Sequence, residues 1–394
     1  MKISSVLLAC FVALFLAAIP TSAKLPEKFE DLKACHVHCY RDCAHENALE
    51  QAITQQTADL QEIHRLPAYK AELFARKKNP SAFRPIEDEL RSASSLDNLS
   101  LAAREAYLQA DLANSRSELA DYAAWKNDLS VTMLGWDCEE NCRYECMQMD
   151  NTHRIQNGET SVKYNGKWPF TRILGTQEFF STIFSIANLL PHATYFFIWR
   201  AKAPKGHYMT PIMLFFSISA THTWWWSTAF HARDNWFTHN MDYFFATFSI
   251  MVMVFWTIVR ISGIKNYNSM AYIAAPMFLY FIFHVYYMLY VEWNYEYNMN
   301  LAIVLGVTFC GSWIVNGLYN YKRKPYAWKI LVATINIAFF AGFEVFDFPP
   351  LFGLLDAHAI WHGATPISCV LMWQYMLEDC QKDGYEALTL GKIE

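Results

Sequence analysis

Five polar residues stand out in a part of the chain that is otherwise strongly apolar: Ser227 and His231, then Asp242, then His358 and His362. Positions four apart on a helix share a face, so Ser227 with His231 and His358 with His362 project in pairs toward whatever space their helices share. Three imidazoles that leave a fourth position open are a recurrent way to hold a catalytic Zn2+, with a water completing the tetrahedron and its pKa lowered to about 7. Asp242 would then carry the proton as general base and acid. Ser227 would donate a hydrogen bond to the developing oxyanion or to the substrate carbonyl. The chemistry such a set allows is hydrolysis of an ester or an amide. A second catalytic reading makes Ser227 a covalent nucleophile with His231 as its base, but it leaves His358 and His362 without a role. Either pair alone is also what polar residues at membrane-interface depth look like, and it is their occurrence together with Asp242 that favours a site.

The elements that must position these residues are membrane helices. The mean hydropathy of +0.06 averages a polar segment of roughly 150 residues and a long apolar remainder. Seven apolar stretches run near 178–199, 208–231, 241–262, 270–291, 299–320, 328–347 and 358–378, each close to the roughly 20 residues that cross a hydrocarbon core. Met1-Lys2, the apolar run from Val6 to Ile19 and Thr21-Ser22-Ala23 have the three regions of a secretory signal peptide, with cleavage expected near Ala23. A retained anchor is the alternative. With the amino terminus luminal, the loops after the odd-numbered helices face the cytosol. They carry Arg200, Lys202 and Lys205, then Arg260 and Lys265, then Lys322, Arg323 and Lys324, whereas 292–296 and 348–353 hold no lysine or arginine, as the positive-inside bias requires. His231, Asp242 and His358 then all lie at luminal helix ends, and the carboxyl terminus is cytosolic.

The polar segment has its own pattern. Cys35, Cys39 and Cys43 repeat as Cys138, Cys142 and Cys146 with the same spacing. On helices each triplet forms one sulfur stripe, and two stripes packed antiparallel give Cys35–Cys146, Cys39–Cys142 and Cys43–Cys138, one of fifteen pairings. A zinc site is the rival reading, disfavoured by the oxidising compartment and by the lack of C-x2-C knuckles. Residues 44–130 read as two or more solvated helices interrupted near Asn79-Pro80 and Arg84-Pro85. Asn98-Leu-Ser100 is a glycosylation sequon. The net charge of −5 is modest and carries no information about nucleic acid, and the absence of a basic patch interleaved with aromatics gives a nucleic-acid partner little support.

The expected fold is therefore mainly α: a seven-transmembrane helix bundle with an N-terminal disulfide-stapled helical luminal domain. Its parts are a signal peptide at 1–23, the luminal domain at 24–176 with an insertion at about 44–130, the bundle at 177–380 and a cytosolic tail at 381–394. Other polar residues carry less. His222, His239 and His284 have no partner at ligand spacing, and the sequence names no partner for Glu178, Glu344 or Asp347 at helix ends. Trp224-Trp-Trp226 reads as packing or interfacial anchoring.

Ser-x3-His, a downstream Asp and His-x3-His on seven helices resemble the superfamily that contains alkaline ceramidases and the progestin and adipoQ receptors. Longer motifs are more selective: Trp226-Ser-Thr-Ala-Phe-His-Ala-Arg-Asp234, Met241-Asp-Tyr-Phe244, Phe346-Asp-Phe-Pro-Pro350, Leu355-Asp-Ala-His-Ala-Ile-Trp-His362, Gly135-Trp-Asp-Cys-Glu-Glu-Asn-Cys-Arg-Tyr-Glu-Cys-Met147 and Gly166-Lys-Trp-Pro-Phe170. These resemble the Per-one-like family of post-GPI-attachment factors over roughly 31–43 and 133–380. The resemblance implies GPI-anchor lipid remodelling in the endoplasmic reticulum or Golgi, by phospholipase A2-like removal of the sn-2 acyl chain from the phosphatidylinositol of GPI-anchored proteins. It also implies zinc on His231, His358 and His362, with Ser227 and Asp242 completing the site. A ceramide amidase, and a non-catalytic heptahelical receptor or remodelling factor with a structural metal, are the alternatives.

Overall fold

The computed structural model describes residues 32–92, 95–122 and 129–389, so the expected signal peptide and the last five residues lie outside the described residues. The chain divides into two compact units, Ser22–Thr160 and Ser161–Glu394. No strand occurs among the described residues; isolated bridges only close short turns.

The first unit contains α1 (Leu32–Arg65), α2 (Pro67–Lys78), α3 (Ile86–Ser92), α4 (Leu101–Tyr122), α5 (Leu129–Leu134) and α6 (Cys138–Gln156). Disulfides join Cys35 to Cys146, Cys39 to Cys142 and Cys43 to Cys138, across Cα separations of 5.8, 5.8 and 5.7 Å. This is the antiparallel register that the two stripes suggested. α6 begins at a capping box, in which Asp137 accepts from the Glu140 N–H at 2.7 Å and the Glu140 carboxylate accepts from the Asp137 N–H at 3.1 Å. The insertion is not a separate module, because α1 runs unbroken from the first cysteine triplet to Arg65. Leu60 and Ile63 of α1 pack with Tyr69, Leu108 and Leu112 of α2 and α4. Arg76 braces the group with Glu72 at 2.9 Å, Glu89 at 2.7 Å and Ser100 at 2.8 Å. Ser100 in turn caps α4 by accepting the Ala103 N–H. Asn98 of the sequon is exposed.

The second unit contains α7 (Phe179–Lys202), α8 (Met209–Ala232), α9 (Trp236–Ile261), α10 (Tyr267–Tyr286), α11 (Tyr295–Asn320), α12 (Trp328–Phe346) and α13 (Ala357–Thr389). Among the described residues, four segments are long and apolar enough to cross a membrane: Trp236–Ile261, Tyr267–Val291, Tyr295–Asn320 and Pro325–Phe343. The remaining three, α7, α8 and α13, carry buried polar side chains such as Ser185, Asn188, Ser217, Ser227 and His362. Their lower hydropathy and their place around the site have the same cause. α9 starts at Trp236 rather than 241 because Asn235 accepts from the Phe237 and Thr238 N–H groups, each at 3.0 Å. α13 extends beyond 378 because Asp379 and Asp383 are held by Arg260, at 2.6 and 3.0 Å. Lys324 and Tyr326 also bond Asp379, at 2.6 and 2.9 Å. Arg260 and Lys324, counted above as loop charges, thus serve a helix clamp. Near it Trp199, Phe216, Trp256, Trp313 and Trp373 form an aromatic core.

Candidate metal centre

The site lies where α7 begins, α8 ends, α9 begins and α13 begins. Main-chain bonds fix that junction: the Gln177 N–H donates to the Ala232 carbonyl and the Glu178 N–H to the His231 carbonyl, both at 2.9 Å. α8 thereby delivers Ser227 and His231 one turn apart, both buried, while α13 delivers His358, half-buried, and the buried His362. The three histidines converge, with one ligand nitrogen from each lying within 4.8 Å of the others.

One pair of these nitrogens meets a geometric test for a metal. His231 Nε2 and His358 Nε2 are 3.3 Å apart, and two nitrogens each about 2.0–2.1 Å from a tetrahedral zinc ion lie about 3.3 Å from one another. Hydrogen-bond partners also assign two tautomers. His231 Nδ1 faces Glu178 Oε2 at 2.7 Å, so it carries the proton and leaves Nε2 as a lone pair. Ser185 Oγ donates to the Ser181 carbonyl at 2.7 Å and therefore accepts from His362 Nδ1 and from the Ser227 hydroxyl, each at 3.0 Å. His362 Nε2 is likewise left as an acceptor. The donor set suits zinc.

Asp242 is half-buried and close to His231 and His358, and no hydrogen bond ties its carboxylate among the described residues. Asp356, beside the same site, accepts the Ala359 N–H at 2.8 Å and starts α13. One acid is thus available for proton transfer and the other is a helix cap. Ser227 bonds Ser185 rather than His231, which gives no support to a Ser227–His231 nucleophile pair.

Glu178, just before α7, and Ser185, within it, were not singled out for these roles by spacing. Glu178 Oε1 also meets Lys167 Nζ at 2.9 Å, and Lys167 meets Asp234 at 2.9 Å. Burial alone would raise the Glu178 pKa, yet Lys167 and His231 beside it hold it well below the usual carboxylate range. Burial alone would lower the Lys167 ammonium, and the two carboxylates raise it. Of the remaining polar residues, His222 bonds the Ile218 carbonyl, His239 lies among Phe230, Tyr243 and Trp293, and His284 is buried beside Tyr297. Asp347 accepts from Trp168 Nε1 at 2.8 Å and pairs with Lys163. Trp224 meets the His362 ring edge-on, with centroids 5.2 Å apart, while Trp225 faces outward.

The model of the Per1-like family matches residues 128–380, a span that includes all five site residues as well as Lys167, Glu178 and Ser185. The chain belongs to the Per1-like family. Among similar proteins, the GPI-specific phospholipase A2-like PGAP3 of Mus musculus is 31% identical over 276 residues, 70% of this chain and 86% of that protein. The protein of the same name from Cricetulus griseus is 30% identical over the same coverage. Protein PER1 homolog of Schizosaccharomyces pombe is 30% identical over 275 residues, 68% of this chain and 82% of that protein. The family match begins after the helices of the 44–127 segment. No solved structure matches the chain.

Proposed function

We propose that this protein remodels GPI anchors by hydrolysing the sn-2 acyl ester of their phosphatidylinositol, on the luminal side of a secretory-pathway membrane that all seven helices of its second unit span. The convergence of His231, His358 and His362 on one point, with their ligand nitrogens within 4.8 Å, is the observation that carries this reading. The substrate class is supported by the relatives described as GPI-specific phospholipase A2-like.

His231, His358 and His362 would hold a zinc ion, which would supply a Lewis acid and a water acidic enough to react near neutral pH. Asp242 accepts the proton of the attacking water and returns it to the departing glycerol oxygen, so that fatty acid and lyso-lipid leave. Ser227 turns its O–H from Ser185 to the carbonyl oxygen as negative charge develops there; giving up one hydrogen bond costs about 1 kcal/mol, which the stronger bond to an anion offsets. Glu178 and Ser185 keep the Nδ1 protons of His231 and His362 in place throughout.

The test in cells lacking the endogenous protein is the acyl composition of their GPI anchors. Wild type is expected to restore remodelled anchors, and neither Asp242→Ala nor Ser227→Ala is. If both variants restored wild-type composition, the catalytic reading would be wrong and a structural metal would be favoured.

A further inference from the structure

The strap between residues 161 and 178 holds a lysine in an unusual place. Tyr164 and Lys167 close a two-residue turn, with the Tyr164 N–H donating to the Lys167 carbonyl at 2.7 Å and the reverse bond at 3.0 Å. Asn165 and Gly166 take φ values of +49° and +84°, the Asn-Gly signature of such a turn. The turn aims the Lys167 ammonium into the bundle end. There it meets Glu178 and Asp234, each at 2.9 Å, and lies over the Phe230 ring, 4.1 Å from its centroid. Glu178, which starts α7, and Asp234, which follows α8, are brought to one cation. Glu178 uses Oε1 for Lys167 and Oε2 for His231.

We propose that Lys167 is a positioning residue for the metal centre, its ammonium locking the Glu178 carboxylate so that Oε2 faces His231 Nδ1 and His231 Nε2 faces the metal. This rests on the metal reading of the three histidines. Without the ammonium, the nearly buried Glu178 and the partly buried Asp234 become like charges with no cation between them. Glu178 then keeps only its bond to His231 with nothing to hold Oε1, so the carboxylate that orients His231 is itself fixed at one oxygen instead of two. A side chain from a loop outside the helices thus sets the geometry of a ligand inside them. Partners of metal-bound histidines are typically worth about 10–100-fold in metal affinity.

The test uses the full-length protein in detergent, with zinc affinity measured by chelator competition and thermal unfolding measured for the metal-free form. Lys167→Met is expected to weaken zinc binding by roughly tenfold or more as well as lowering the metal-free unfolding temperature, and Lys167→Arg to restore most of the affinity. A role confined to stability would lower the unfolding temperature but leave zinc affinity unchanged. If Lys167→Met does not accumulate, Lys167→Met with Asp234→Asn removes the ammonium and one of the carboxylates it joins. This pair should fold and still bind zinc weakly. Wild-type affinity in Lys167→Met, or in the double variant, would overturn the proposal while leaving the metal reading intact. A wild-type protein that binds no zinc would overturn the metal reading itself, and this inference with it.

Discussion

Ser185→Ala removes one oxygen from a fully buried position and leaves every helix contact in place. That oxygen has three bonds: it donates to the Ser181 carbonyl at 2.7 Å and accepts from His362 Nδ1 and Ser227 Oγ at 3.0 Å. After the substitution the His362 Nδ1 proton faces a methyl group, and an unsatisfied buried donor costs about 1–3 kcal/mol. The imidazole can relieve this by moving the proton to Nε2, the nitrogen otherwise available to a metal. Either outcome is charged against metal binding, so zinc affinity should fall by roughly tenfold to a hundredfold. The matched control is Ser181→Ala, one turn earlier on α7. The Ser181 hydroxyl is also buried but has no partner among the described residues, so its removal should leave zinc affinity unchanged. Chelator competition on the purified variants reads the difference. Equal affinities for Ser185→Ala and wild type would refute the tautomer assignment for His362.

Two further outcomes follow from packing and charge away from the site. In the bundle, a Cβ on Gly317 would meet Leu331 side-chain atoms at 2.7 and 2.8 Å, while one on Gly311 of the same helix meets nothing within 4 Å; Gly317→Ala should lower the unfolding temperature measurably and Gly311→Ala should not, as close helix approach through small residues requires. In the first unit, burial alone would raise the Glu89 pKa, but Ser100 and Arg76 hold it below its ordinary value. A carboxylate whose folded pKa is depressed stabilises the fold above its unfolded value, about 4.3, and that contribution is lost as pH falls through the folded one. Glu89→Gln should therefore cost roughly 1–2 kcal/mol near neutral pH, read as faster hydrogen exchange at the start of α4. The gap to wild type should close below about pH 4; a gap that persisted there would show that charge is not its source.

Much of the architecture was legible because it is periodic. The cysteine triplets repeat at a helical spacing, which limits the antiparallel partners to the pairs now seen, and the apolar stretches marked seven helices to within a few residues at most ends. Ser227, His231, His358 and His362 were legible for the same reason. Glu178, Ser185 and Lys167 were not, because each meets its partner across the fold rather than along a helix: Ser185 lies 177 residues from His362 in sequence. A signal for α7 did exist. Ser181, Ser185, Asn188 and His192 form a polar stripe at helical spacing in an otherwise apolar helix, and polar groups in such a setting are costly unless they face partners. Asp356 shows the converse limit, since only its bond to the Ala359 N–H marks it as a helix cap.

The most direct measurement is fatty-acid release from a diacyl GPI by the purified full-length protein, with zinc content determined on the same samples. Wild type should bind about one zinc ion, as a single three-histidine site allows, and release the sn-2 acid. Asp242→Ala should retain the metal and lose release, while His231→Ala should lose both. Zinc-loaded wild type that left the ester intact, or Asp242→Ala that cleaved it at the wild-type rate, would contradict hydrolysis at this centre.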